Sequence, residues 1–489
     1  MKKRILIPVA SFSLLSGLLL LFFNPSIPVI ISSLEYIFHK SLSFSFWEIG
    51  FERMGVELIL LSVNIFLAIK FYEKNPKRFI LFSCFLWMLL FILYVIKNTV
   101  NIPISDDYGY FLQFLIDYSS SHNHKMIFRQ EAESRMVLIH LLSILLVHLN
   151  IFNFKIFAFI STACLIGITL LLYRSILLKQ KEFLFFIIAI LLFQFQYYNS
   201  ILLPSDALYS TCTIFYVFCS LYFLNKRSLW MFALSLFFIL LSALNCGSGF
   251  SGFIAGTFLL LAEKRWKHLF VWILFAASIS AAFFTNYAFI HENIFSSETI
   301  LVFLNRSFKC ALLSFAFLGG PLQFPHQIVL PIITGAIIWI FFIILTIKKY
   351  YKINPIIYFM LLFLIICSCL PSLLRPDYEI KYAISIRYGV YAIIAMGCCI
   401  IAFIETSPEK NKASLMKYLL IATFLFHLST NLFFYPEVVI RKQKLIAFIE
   451  QIKKNEPLQV PPITPCTAEE AAATIKEAVS KNIYKIPDE

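Results

Sequence analysis

Runs of about 20 apolar residues recur along nearly the whole chain, and they limit its fold more than any motif does. In hydrocarbon no water satisfies backbone N–H and C=O groups, so such a run is stable only as a helix that bonds to itself. About 20 residues are enough to cross the core of a bilayer. With 60% apolar and only 14% charged residues, the composition excludes an ordinary soluble protein. The expectation is an all-α polytopic membrane protein of about 13 transmembrane helices. The first apolar run is residues 5–23, behind Met1-Lys2-Lys3-Arg4, with no small-residue cleavage site after it. It reads as an uncleaved span. The other spans fall near 56–72, 79–97, 155–174, 183–198, 207–224, 229–246, 250–262, 269–290, 327–346, 353–372, 387–404 and 415–434.

Charge sets the orientation. Lys77-Arg78, Lys226-Arg227, Lys264-Arg265, Lys348-Lys349 and Lys410 with Lys412 all fall on the side of the N-terminus, which the positive-inside rule assigns to the cytoplasm. The net charge of +14 therefore belongs to membrane insertion and does not call for nucleic acid. The longer loops face outward from a plasma (bacterial inner) membrane. Residues 1–435 make a membrane domain in which 98–154 is an outer loop, and 436–489 a short helical tail on the outer face. Within the tail, Val438–Lys453 is amphipathic and basic, a pattern suited to lying along the membrane surface. Thr467-Ala468-Glu469-Glu470 is a capping-box pattern that opens a last helix. The eleven cysteines show no metal-ligand spacing and read as apolar packing residues.

Polar chemistry is concentrated in the outer loops, while the span centres are nearly bare of charge. The loop after residue 97 carries Ile104-Ser105-Asp106-Asp107-Tyr108-Gly109-Tyr110-Phe111, two adjacent carboxylates among aromatics. One carboxylate can face a substrate while the other caps a short interfacial helix, with Asp106 or Ser105 as N-cap. Farther along the loop, Glu133 and Arg135 precede a second short apolar helix at 137–149, and an Arg129/Glu133 pair at i,i+4 is the alternative use of that acid. Arg306 and Lys309 place two cations in the loop 288–326, and Ser385-Ile386-Arg387-Tyr388 opens the next-to-last span. An arginine there either snorkels to lipid phosphate or grips a substrate phosphate through two parallel hydrogen bonds. His122 and His124 read as solvated loop residues.

An acidic pair with aromatics just after an early span resembles the GT-C superfamily of membrane glycosyltransferases, and more narrowly GtrII/DUF6056-like bacterial membrane proteins. The motifs that carry the resemblance are Asp106-Asp107-Tyr108, Ala132-Glu133-Ser134-Arg135, Ser385-Ile386-Arg387-Tyr388 and Ile483-Tyr484-Lys485-Ile486-Pro487, in that order. Ser134 stands where such relatives have His, and the spans within residues 1–72 are additional. The resemblance implies transfer of a sugar from a polyprenyl-phosphate donor to a glycan, lipid or protein of the cell envelope, lipopolysaccharide among them. Asp106 or Asp107 would be the catalytic base. Tyr108, Glu133, Arg135, Arg306, Lys309, Arg387 and Tyr388 would bind substrate. The acidic pair is also of the type that holds Mg²⁺ or Mn²⁺, although no third ligand is evident in the sequence. Competing readings are a lipid-linked saccharide flippase or transporter, an O-antigen polymerase or ligase, and a structural membrane scaffold.

Overall fold

The computed structural model describes residues 3–22, 44–71, 75–131, 134–288, 300–323, 328–374, 379–458 and 467–487. It is helical apart from one two-residue β-ribbon, in which β1 (Gln130–Glu131) pairs antiparallel with β2 (Ser134–Arg135). The helices are α1 (Lys3–Phe22), α2 (Phe44–Phe71), α3 (Pro76–Asn98), α4 (Phe114–Ser121), α5 (Val137–His148), α6 (Phe154–Ser175), α7 (Lys181–Leu192), α8 (Thr213–Leu224) and α9 (Leu229–Asn245). They continue with α10 (Phe250–Ala262), α11 (Trp266–Phe284), α12 (Ile300–Gly319), α13 (Val329–Ile347), α14 (Pro355–Leu374), α15 (Gly389–Thr406), α16 (Glu409–Lys454) and α17 (Ala468–Ser480). Among the described residues, seven stretches are long and apolar enough to cross a membrane: α3, α6, Pro204–Leu224, α11, α13, Ile386–Thr406 and α16. Shorter apolar helices accompany them. The chain is a helical membrane protein.

Two poles organise the bundle. At the pole with the basic turns, Glu405 gathers the Tyr350 hydroxyl (2.6 Å), the Asn354 amide (2.9 Å) and the Leu177 N–H (2.8 Å). The main apolar core runs from there through α7, α8, α14 and α15. The opposite pole carries a second core, in which Phe111, Phe114, Phe154 and Phe157 meet Leu445, Phe448, Ile475 and Tyr484. The tail is therefore packed against the loop that holds the acidic pair. Its capping box is formed in both directions, Thr467 Oγ1 accepting from the Glu470 N–H and Glu470 Oε2 accepting from the Thr467 N–H.

Three sequence expectations change. The α16 helix runs without interruption for 46 residues, about 69 Å at 1.5 Å per residue. Val438–Lys453 is thus the continuation of the last apolar helix past Pro436, and the boundary at 435/436 falls inside one helix. Its buried stripe of Val438, Leu445, Phe448, Ile449 and Ile452 faces protein, which accounts for its amphipathic pattern. Second, residues 300–319 are helical and not loop. The α12 helix lies antiparallel on α13 with backbones in close approach: a Cβ on Gly319 would meet the Pro331 carbonyl oxygen, and one on Gly335 the Phe315 carbonyl oxygen, both at 1.7 Å. Small residues let helices approach this closely in lipid. Third, the span expected at 183–198 stops at Leu192, and the chain continues through an irregular buried stretch before helix resumes at Asn199–Leu202 and Pro204–Asp206.

Candidate functional site

Two π-helical turns frame the site, Tyr108–Gln113 and Ala207–Cys212, each directly after an aspartate. A π-turn inserts a residue into the helical ladder and is frequent at functional positions. The second is held open from outside: Asn245, at the end of α9, donates from Nδ2 to the Leu208 carbonyl (2.7 Å) and Thr213 Oγ1 (2.8 Å). The carbonyl at the widened turn thus regains a partner.

The adjacent carboxylates separate completely. Asp107 is fully buried. Its Oδ2 accepts the Ile104 N–H and its Oδ1 the Ser205 N–H, both at 2.9 Å. It ties the acidic loop to the start of Pro204–Asp206, and burial pushes its carboxyl up to about 7, against the pull of those two donors. Asp106 instead faces a cavity of about 740 Å³. Ser105, just before it, has φ 54°, in the left-handed region.

Across the cavity mouth stands Arg387, in the turn Ile386–Tyr388 ahead of α15. Its Nη2 lies 3.2 Å from Asp106 Oδ2 and 3.4 Å from Asp206 Oδ1. One guanidinium thus bridges two carboxylates 100 residues apart in sequence. Ser200 Oγ donates to the Arg387 carbonyl (2.9 Å), and the Ser200 carbonyl itself accepts from Ser161 Oγ (2.9 Å) and Thr211 Oγ1 (2.8 Å). Asp206 Oδ2 is buried with no hydrogen-bond partner among the described residues. Beside this head lie Tyr110, Glu131, Ser134, Tyr209, Ser248, Tyr388 and Tyr391. Burial raises the Glu131 carboxyl above the usual carboxylate range while Arg129, 2.5 Å away, opposes it. The rest of the wall is apolar and follows α10 and α11 into the bundle: Phe253, Ile254, Ile273, Ala276, Ala277 and Phe283, with Leu370 and Pro371 of α14.

Of the residues expected at the site, Asp106, Arg387 and Tyr388 line the cavity. The others are placed elsewhere or lie outside the described residues. Asp107 serves the backbone, as above. Tyr108 is buried in the second core with Phe111 and Phe114. Arg135 donates from Nη2 to the Thr285 carbonyl and fastens the ribbon to the end of α11. Beside it, Gln130 exchanges two bonds with Ala288 (2.7 and 2.9 Å). Arg306 lies within α12, not in a loop. Lys309 lies within α12 and does not line the cavity. Glu133 is outside the described residues.

Sequence reading missed Asp206. Its signal was a carboxylate at the head of an apolar stretch directly after Pro204, where a charge in a membrane helix marks function by default. Among the described residues no three His, Cys, Asp or Glu side chains converge as metal ligands, and the guanidinium occupies the point between Asp106 and Asp206. Among the described residues this donor set does not fit Mg²⁺ or Mn²⁺. No family model, curated protein or solved structure matches the chain.

Proposed function

We propose that this protein is a membrane glycosyltransferase that takes its sugar from a polyprenyl-phosphate donor and delivers it to a cell-envelope glycan, lipid or protein. The observation that carries the reading is the cavity itself. A guanidinium and two carboxylates form one end, and mainly apolar side chains of α10, α11 and α14 form the remainder. That profile matches an amphiphile with an anionic head and a hydrocarbon tail, held by a few placed polar groups in an otherwise apolar pocket. The GT-C resemblance adds the reaction. In the proposed topology the expected spans make up the membrane domain, with α7 and the irregular stretch after Leu192 sharing one of them, the N-terminus cytoplasmic and the cavity on the outer face.

The acceptor hydroxyl approaches C1 of the sugar from the side opposite the phosphate, and the new C1–O bond forms as the C1–O bond to phosphate breaks. Asp106 takes the hydroxyl proton, a contribution typically worth 10²–10⁴-fold in rate. The departing phosphate keeps the electron pair, and Arg387 stabilises the charge that develops there through a charge-assisted, bidentate contact. Before substrate arrives, Arg387 bridges Asp106 and Asp206; a phosphate that draws the guanidinium away frees Asp106 as a base. Displacement in one step inverts the anomeric centre.

A transporter reading draws on the helix break after Leu192, since broken helices build transport sites. The polar side chains of that break bond internally, however: Gln194 Nε2 to the Leu191 carbonyl and Gln196 Nε2 to the Gly320 and Pro321 carbonyls. The test is envelope glycan analysis in cells with wild type, Arg387→Ala or Arg387→Lys at matched membrane levels. Loss of one sugar modification in both variants supports the proposal. Wild-type glycan in both, with loss on gene deletion, overturns it.

A further inference from the structure

A second cluster of buried charged groups lies away from the cavity, where α2 crosses α16. Arg53 Nη2 lies 2.8 Å from Glu57 Oε1, and the guanidinium stacks 3.5 Å from the centre of the Tyr94 ring. Asn431 Nδ2 donates to the same Glu57 oxygen at 2.7 Å. Glu57, His427 and Asn431 are each 0% exposed. Among apolar helices such groups are costly and need a reason.

The reason lies in the backbone they reach. Where α7 stops at Leu192, its last carbonyls and the next N–H groups lose their helical partners, and lipid or apolar core cannot supply others. Three side chains fill the gap. His427 Nδ1 donates to the Ile190 carbonyl (3.0 Å), Gln194 takes the Leu191 carbonyl, and the Tyr197 hydroxyl takes the Leu192 carbonyl. On the far side of the break, Asn431 Oδ1 accepts the Phe195 N–H at 3.2 Å. That bond fixes which end of the Asn431 amide is oxygen. Its two Nδ2 hydrogens then point to Glu57 Oε1 and to His427 Nε2, 2.9 Å away. Since a carbonyl only accepts, a hydrogen of His427 sits on Nδ1, and its Nε2 lies 3.3 Å from Glu57 Oε1 as well as beside the Asn431 amide. Glu57, His427 and Asn431 thus form one bonded group that reaches the backbone on both sides of the break.

From Phe195 the chain runs eleven residues to Asp206. On the way Ser200 holds the Arg387 backbone and Ser205 binds Asp107. We infer that Glu57, His427 and Asn431 are positioning residues: they clamp both sides of the helix break and so hold Asp206 and Arg387 in register with Asp106. The α2 helix, part of the additional N-terminal segment, thereby acquires a role as the carrier of Arg53 and Glu57. The consequence for sugar transfer rests on the proposed function; the clamp itself does not.

Hydrogen-exchange mass spectrometry on the full chain in lipid nanodiscs tests the clamp without reference to activity, and glycan output is read alongside it. His427→Phe keeps ring volume and removes the donor, whereas His427→Asn keeps a donor near the Nδ1 position and sacrifices volume. The inference expects amides in 193–206 to exchange on the order of tenfold faster in His427→Phe and Asn431→Ala, with α6 unchanged. It also expects His427→Asn to stay close to wild type. Wild-type exchange in His427→Phe, or equal acceleration in His427→Phe and His427→Asn, overturns it. Should Asn431→Ala fail to accumulate, the two His427 variants decide. Accelerated exchange with unchanged glycan output supports the clamp and counts against catalysis by Asp206 and Arg387.

Discussion

Replacing each of the two neighbouring aspartates by asparagine should produce two unrelated defects. Asp106 is one-quarter exposed at its side chain, and Arg387 lies 3.2 Å from it. A partly exposed pair of this kind contributes about 0.2–1 kcal/mol to stability, so Asp106→Asn should unfold like wild type. Its loss as a base should lower the transfer rate by about 10²–10⁴-fold, which is about 3–5 kcal/mol of barrier. In Asp107 both carboxylate oxygens receive backbone N–H donors in a fully buried site. An asparagine there keeps one acceptor and turns an NH₂ group toward the other donor. One hydrogen bond is lost and one buried N–H is stranded, a cost of about 1–3 kcal/mol. The assay is thermal unfolding in nanodiscs beside envelope glycan analysis at matched membrane levels. Full glycan in Asp106→Asn would refute the assignment of the base. Wild-type unfolding in Asp107→Asn would refute the anchoring role.

Three further outcomes follow from the same geometry. Asp107 has a raised proton affinity in the fold, up to about 7 against about 3.9 in an unfolded chain. Its contribution to stability is therefore complete below pH 4 and is lost as pH rises through 7; unfolding of wild type and Asp107→Asn at pH 5 and pH 8 should show the difference narrowing at the higher pH. Gly319→Ala drives a Cβ into the Pro331 carbonyl and should separate α12 from α13, with a stability loss of about 1–3 kcal/mol by thermal unfolding. Lys309→Ala, away from the cavity, should leave glycan output within about twofold of wild type by the same envelope analysis.

Local physics made part of this protein legible. A run such as 79–97 can be nothing but helix in lipid, and α3 spans Pro76–Asn98. The capping box at Thr467 needs only neighbours three residues apart, and it formed as read. The acidic loop stood out because carboxylates are rare in so apolar a chain, and Asp106 does face the cavity. What the sequence left open depends on partners distant along the chain. Nothing local distinguishes Asp106 from Asp107; Ser205, 98 residues on, takes Asp107 as its anchor, and Arg387, 281 residues on, takes Asp106. Arg135 and Lys309 carry the right charge for phosphate, but one is bonded to a carbonyl and the other lies in a helix away from the cavity lining. The apolar run through 183–198 reads as helix because periodicity does not register a break whose freed backbone groups are satisfied by His427 and Asn431, more than 200 residues away. Solvent cost determines which segments are helix and is written residue by residue, whereas a site is fixed by hydrogen bonds and ion pairs that exist only once the helices have packed.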